Sequence, residues 1–118
     1  EVTITWTGDA SSGAVPDTAF GSGVMRDIRG LYAGCAETDP GSTSPTALYD
    51  ITIVDEYALD IYGGALGNRS ATATEQTYPK IVSSGIYGTR PIASALTFKL
   101  ANNSVASATG TVKIIFSK

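Results

Sequence analysis

The chain has 118 residues, 42% of them hydrophobic and only 16% charged, and its eleven acids and eight bases leave a net charge of −3. That length suits one domain with a core of its own. The acidic balance excludes a module that earns its affinity from Lys and Arg on phosphates, and equally a polybasic membrane binder. There is no His, which removes the commonest general base and neutral metal ligand. One Cys rules out an intrachain disulfide and a Cys-based zinc site. No apolar run approaches the ~20 residues of a membrane span, and no signal-peptide pattern opens the chain at Glu1.

Strand signals dominate from the start. Val2, Ile4 and Trp6 alternate with Thr3, Thr5 and Thr7, a period of two in β-branched and aromatic residues. From Ala10 to Gly23 small residues and Pro16 read as a loop or extended arm, with Gly21 and Gly23 set to stop any short turn after Pro16-Asp17. Residues 1–23 are therefore expected to be an N-terminal strand and arm, and residues 24–118 the body of one domain. From Val24 to Ala36 the alternation returns, and a change of parity between Met25 and Ile28 predicts a bulge or bend there. Thr38 to Pro45 is dense in Pro, Gly and Ser and reads as a surface loop.

Leu48 to Val54 is the strongest strand, with Tyr49, Ile51 and Ile53 on one side. A turn at Asp55-Glu56 and a short strand at Ala58 to Tyr62 predict a hairpin. Gly63 to Arg69 reads as a flexible loop, Ser70 to Thr77 as an edge strand or ordered loop, Pro79 to Val82 as an extended piece, and Ser83 to Arg90 as a second Gly-containing loop. Ile92, Ser94, Leu96, Phe98 and Leu100 then share a face. Ala101 to Ser104 supplies turn residues, and Val105 to Phe116 runs back with Val112, Ile114 and Phe116 on one side, predicting a C-terminal hairpin. The expected fold is all-β: an antiparallel β-sandwich of seven or eight strands, Ig-like or jelly-roll-like. Its core candidates are Val2, Ile4, Trp6, Ile51, Ile53, Leu96, Phe98, Leu100, Val112, Ile114 and Phe116.

Candidate chemistry is sparse. Asp50, Asp55, Glu56 and Asp60 fall within eleven positions and could bind Ca²⁺ or act as an acid/base pair, but they lack EF-hand spacing and flank a predicted turn, where carboxylates solvate the chain. No GxSxG elbow exists. The run from Gly63 to Arg69 lacks the Lys-Ser/Thr pair of a phosphate-binding loop. Cys35 reads as a buried, inert thiol. Neither a catalytic residue, a cofactor nor a metal is expected.

One segment carries a resemblance. Leu48-Tyr49-Asp50-Ile51-Thr52-Ile53-Val54-Asp55, then Leu59-Asp60-Ile61-Tyr62-Gly63-Gly64, Gly67-Asn68-Arg69-Ser70-Ala71 and Tyr78-Pro79, resemble a pattern in small virion proteins of tailed bacteriophages. The strand from Leu96 to Asn103 and the segment from Ala108 to Phe116 are similar to the closing part of that pattern. The resemblance spans about Tyr49 to Phe116 and rests on strand and turn patterning. It implies a non-enzymatic structural protein, assembled in the host bacterial cytoplasm and located in the virion. The expected role is capsid decoration: a cement protein, trimeric or otherwise symmetric, bridging subunits of the major capsid protein and binding copies of itself, with neither nucleic acid nor membrane as partner. Val15, Phe20, Pro40 and Pro45 are the candidate contact residues, because they lie in segments with little predicted structure. A neck, tail or fibre-associated virion protein is the first alternative. A carbohydrate-binding module using Tyr62, Tyr78 and Tyr87 is the second.

Overall fold

Alternating apolar residues can bury one face only if a second layer covers it. The computed structural model, which describes residues 1–80, 88 and 90–118, shows how this chain supplies that layer. Seven strands and one short helix are present among the described residues: β1 (Val2–Thr7), β2 (Thr18–Ala19), α1 (Ser22–Ile28), β3 (Tyr32–Pro40), β4 (Asp50–Val54), β5 (Glu75–Thr77), β6 (Thr97–Ala101) and β7 (Thr109–Ser117). They form two antiparallel sheets, one in the order β1-β7-β3-β5 and one in the order β2-β6-β4. The molecule is an all-β sandwich, as the alternation predicts.

The core lies between the sheets. Ile51, Ile53, Leu96, Phe98, Leu100, Val112, Ile114 and Trp6 are buried, and Val2, Ile4 and Phe116 pack against them half-buried. Each large side chain so placed contributes about 1.5–3 kcal/mol. Met25, Ile28, Ala33, Ala36, Ile61, Ala65, Leu66, Ile92, Ala108 and the rings of Tyr49 and Tyr62 complete the buried cluster. Trp6 sits opposite Gly110 in the β1–β7 register, and a Cβ at 110 would lie 2.5 Å from the indole ring. The glycine is the gap into which the ring lies.

Several elements differ from the sequence reading. The segment from Val24 to Ala36 is not one bulged strand. Its first part is α1, which buries Met25 and Ile28, three residues apart, on one face. The apparent parity break was a helical step. Gly21 is the N-cap of the helix, and Gly30, at φ 86°, turns the chain out of it. The bulge lies further on, in β3, where the pairing with β7 shifts between Ala33 and Ala36. Cys35 stands there half-buried rather than fully buried. Strand β3 continues to Pro40, so the loop expected from Thr38 begins at Gly41.

The predicted hairpin strand at Ala58 to Tyr62 is a series of turns, touching β4 through the single bridge Val54–Asp60. Residues 55–69 nevertheless cover the outer edge of β4. Ile61 donates to the Ile53 carbonyl (2.9 Å), Ile51 to that of Leu66 (3.0 Å), and Arg69 to that of Tyr49 (2.7 Å). Leu48, expected to open that strand, lies outside it with a left-handed φ of 65°.

The predicted C-terminal hairpin does not form either. Strands β6 and β7 belong to opposite sheets, and residues 105–108 connect them without being strand. The same inward faces are buried, but across the sandwich and not side by side.

The segment read as an arm is built into the fold. Strand β1 pairs with β7 along all six residues, and β2 pairs with β6. Removing residues 1–23 would strip an edge strand and the Trp6 ring from the core, so the sandwich is not expected to fold without them. The end of the extended piece predicted at Pro79 to Val82, and most of the loop predicted at Ser83 to Arg90, lie outside the described residues.

Phe98, 1% exposed on β6, tests the two-sheet core. Phe98→Ala should cost about 3–5 kcal/mol in a urea unfolding curve. A loss below about 0.5 kcal/mol, the range of surface changes, would mean that the strand presents its other face inward.

Candidate functional site

Of the acidic residues at 50–60, the three aspartates fasten the chain to itself. Asp50 accepts the Asn68 N–H (2.7 Å) through one carboxylate oxygen and the Asn102 amide through the other. Asp55 accepts the N–H groups of Tyr57 (2.9 Å) and Leu59 (3.1 Å). Asp60 accepts those of Ile53 (3.2 Å), Tyr62 (3.1 Å) and Gly64 (2.8 Å). These bonds satisfy backbone donors that the turns of residues 55–69 leave unpaired. Among the described residues no group of three or more Asp, Glu, Cys or His side chains could hold a metal ion. Asp9 does similar work in the loop after β1. The Ser12 N–H, then the Ser11 hydroxyl and N–H, hold its carboxyl well below the usual carboxylate range.

The tyrosines divide sharply. Tyr62, proposed for a sugar platform, is fully buried, and its hydroxyl donates to the Gly34 carbonyl (3.0 Å). Burial pushes its phenol well above the ordinary value. It cannot face a ligand. Tyr49 is also buried, its ring 5.6 Å from that of Trp6, and burial pushes its phenol up to about 12. Neither the Tyr49 hydroxyl nor the Trp6 Nε1–H has a hydrogen-bond partner among the described residues. Tyr78 is 56% exposed and Tyr32 38% exposed. Tyr87 lies outside the described residues.

Tyr32 and Tyr78 flank a cleft of about 520 Å³, lined also by Ala33, Gly34, Pro79, Gly88 and Ser117. Strand β3 supplies one wall, and the chain just beyond β5 supplies the other. Ile115, 45% exposed, belongs to β7, the strand paired with β3. The cleft is mostly apolar, with phenol hydroxyls and the Ser117 hydroxyl as polar groups. It is an adhesive geometry: rigid aromatic area that costs little side-chain entropy to order. The sequence reading did not count Tyr32 among the candidate tyrosines, and nothing in the alternation around it marks it as exposed.

The contact candidates chosen from sequence lie elsewhere. Val15 and Phe20 are half-buried and pack against the core, Pro40 is half-buried at the end of β3, and Pro45 is buried. The described structure does not bring them together with the cleft. No helix among the described residues is long and apolar enough to cross a membrane. Compared with known proteins, the chain matches no family model, no curated sequence and no solved structure.

The two buried phenols give contrasting expectations. Tyr62→Phe deletes a hydrogen bond and should cost about 0.5–1.5 kcal/mol, whereas Tyr49→Phe removes a hydroxyl without a partner and should be neutral or stabilising in the same unfolding assay. Both phenols are raised in the folded state, so each stabilises the fold fully below the unfolded value of 10.0. For Tyr49 that contribution should vanish as the pH rises from there to about 12, read as a fall in the thermal unfolding midpoint.

Proposed function

We propose that this chain is a non-enzymatic structural component of a tailed-bacteriophage virion, a capsid decoration protein that cements neighbouring coat subunits. The observation that carries this reading is the exposed aromatic cleft of Tyr32 and Tyr78, set on a nine-residue strand of the larger sheet. Such a surface suits an apolar segment of a coat subunit. The resemblance of residues 49–116 to small virion proteins supports the same reading. The mechanism is mechanical. A rigid sandwich inserted between subunits, and held by an interface of about 1,200–2,000 Å², adds a second attachment that must break before the shell can open. Copies of the chain related by symmetry would share that load. The place of action is then the assembled particle, with the major capsid protein as partner.

A neck, tail or fibre position is the nearest alternative. It differs in copy number, hundreds in the head against six or twelve elsewhere. A second reading, a carbohydrate-binding module, draws on the exposure of Tyr78 beside the cleft, and it now lacks Tyr62 as part of the platform.

Mass spectrometry with gel densitometry of purified particles tests the first reading. The expected result is this chain present in hundreds of copies, and its absence from particles would overturn the proposal. Tyr32→Ala combined with Tyr78→Ala should weaken binding to undecorated heads by about tenfold or more, the loss associated with aromatic anchor residues, while leaving the unfolding midpoint in place. Selective retention on a glycan array with no binding to heads would favour the carbohydrate reading instead.

A further inference from the structure

The four sheet edges of the sandwich are not treated alike. The edge of β4 is covered by residues 55–69 through main-chain hydrogen bonds. Strand β5 has three residues and opens with Glu75. Strand β2 has two residues and follows Pro16 and Asp17. These are the usual means of blunting an edge: cover, shortness, charge and proline. Strand β1 has none of them. It is six residues long, pairs in unbroken register with β7 and with no other strand among the described residues, and contains neither a charge nor a proline.

The free hydrogen-bonding groups of that edge can be assigned. The Gly8 N–H donates to the Ala108 carbonyl (2.7 Å) and continues the β1–β7 register. Antiparallel strands alternate their bonding direction residue by residue. Even positions therefore bond to β7, and Thr3, Thr5 and Thr7 direct their N–H and C=O groups outward. Beside them runs a groove of about 250 Å³ whose opposite wall is β2 and the start of α1, with Val2, Ile4, Phe20, Val24 and Phe98 among its lining. The edges of β1 and β2 thus lie on one side of the sandwich with room between them.

We infer that β1 pairs antiparallel with β1 of a second copy of this chain, joining the two larger sheets into one continuous eight-stranded sheet across a two-fold axis. The strand is its own best complement. With the axis at Ile4, Thr3 faces Thr5 of the second copy, Val2 faces Trp6, Ile4 faces Ile4, and Glu1 faces Thr7. The outward-bonding residues then meet one another, so each N–H finds a carbonyl. Apolar side chains continue on the inner face and threonines on the outer face, a favourable cross-strand pairing. No like charges face each other. A second copy closes the groove at the same time, because its own β2 and α1 bring Phe20 and Val24 to the seam. The inference stands apart from the virion reading: a chain that dimerises but ignores particles keeps this and loses that.

Sedimentation equilibrium of the full chain over a series of loading concentrations tests it. The wild type should reach the mass of two chains. Thr5→Pro removes an outward N–H without touching the bonds to β7, a place where an edge strand tolerates proline. It should sediment as one chain while keeping a strand-type circular dichroism spectrum. Should that variant fail to fold, the Thr3→Lys, Thr5→Lys double variant makes the same reading, since it sets lysine opposite lysine across the axis and should also yield one-chain mass. A wild type of one-chain mass at every concentration, a three-chain mass, or a two-chain mass that survives these substitutions overturns the inference.

Discussion

The fold depends on one constraint: the inward side chains of β6 and those of β7 must face each other across the sandwich. Leu96, Phe98 and Leu100 come from one side, Val112 and Ile114 from the other, and all five are buried. Two strands adjacent in sequence must therefore diverge into different sheets. The connection makes this possible with left-handed residues at Asn102 and Ser107. The Asn103 side chain holds it in place by accepting the Thr46 N–H (2.9 Å) and donating to the Gly13 carbonyl (2.7 Å), tying three loops together. Removing the crossover would leave each sheet with an uncovered apolar face.

What was legible in the chain was local. A period of two marked β1, β4, β6 and β7, because one parity carries most of the apolar residues in each, although Ile115 of β7 and Val54 of β4 stand on the other. Strand pairing was not legible. The faces of β6 and β7 satisfy burial equally well beside each other or opposite each other, and nothing in the alternation separates the two. The helix was hidden for another reason. Seven residues holding Gly23 and Val24 have little intrinsic helical preference, and α1 is held by burying Met25 and Ile28. The cover on β4 was invisible because its main-chain bonds come from turns, held in shape by Asp50, Asp55 and Asp60 accepting backbone N–H groups, and neither leaves a periodic trace.

The candidate surface was legible only in part. Sequence showed that tyrosines were abundant but not which of them faced outward. Tyr62 and Tyr78 stand in similar loop contexts, yet one ring fills the core and the other borders the cleft. Tyr32 owes its exposure to the bulge in β3, which changes the parity of the strand so that Ala33 faces inward before it and Ala36 after it. A one-residue irregularity thereby decides which aromatic reaches solvent. At the other end of the sheet, the open edge of β1 follows from the plainest pattern in the chain.

Trp6 is the single tryptophan of the chain, and it rides on that outermost strand with 3% of its surface exposed. Its indole lies against Gly110 and beside Tyr49, two neighbours contributed by β7 and by the residue preceding β4. The fluorescence of the whole protein is consequently a gauge of one seam. Emission stays at short wavelength while β1 is seated, and moves to the red when that strand lifts and the indole meets water. Intrinsic emission therefore reports on the seating of β1 and not on the strands that the indole does not touch.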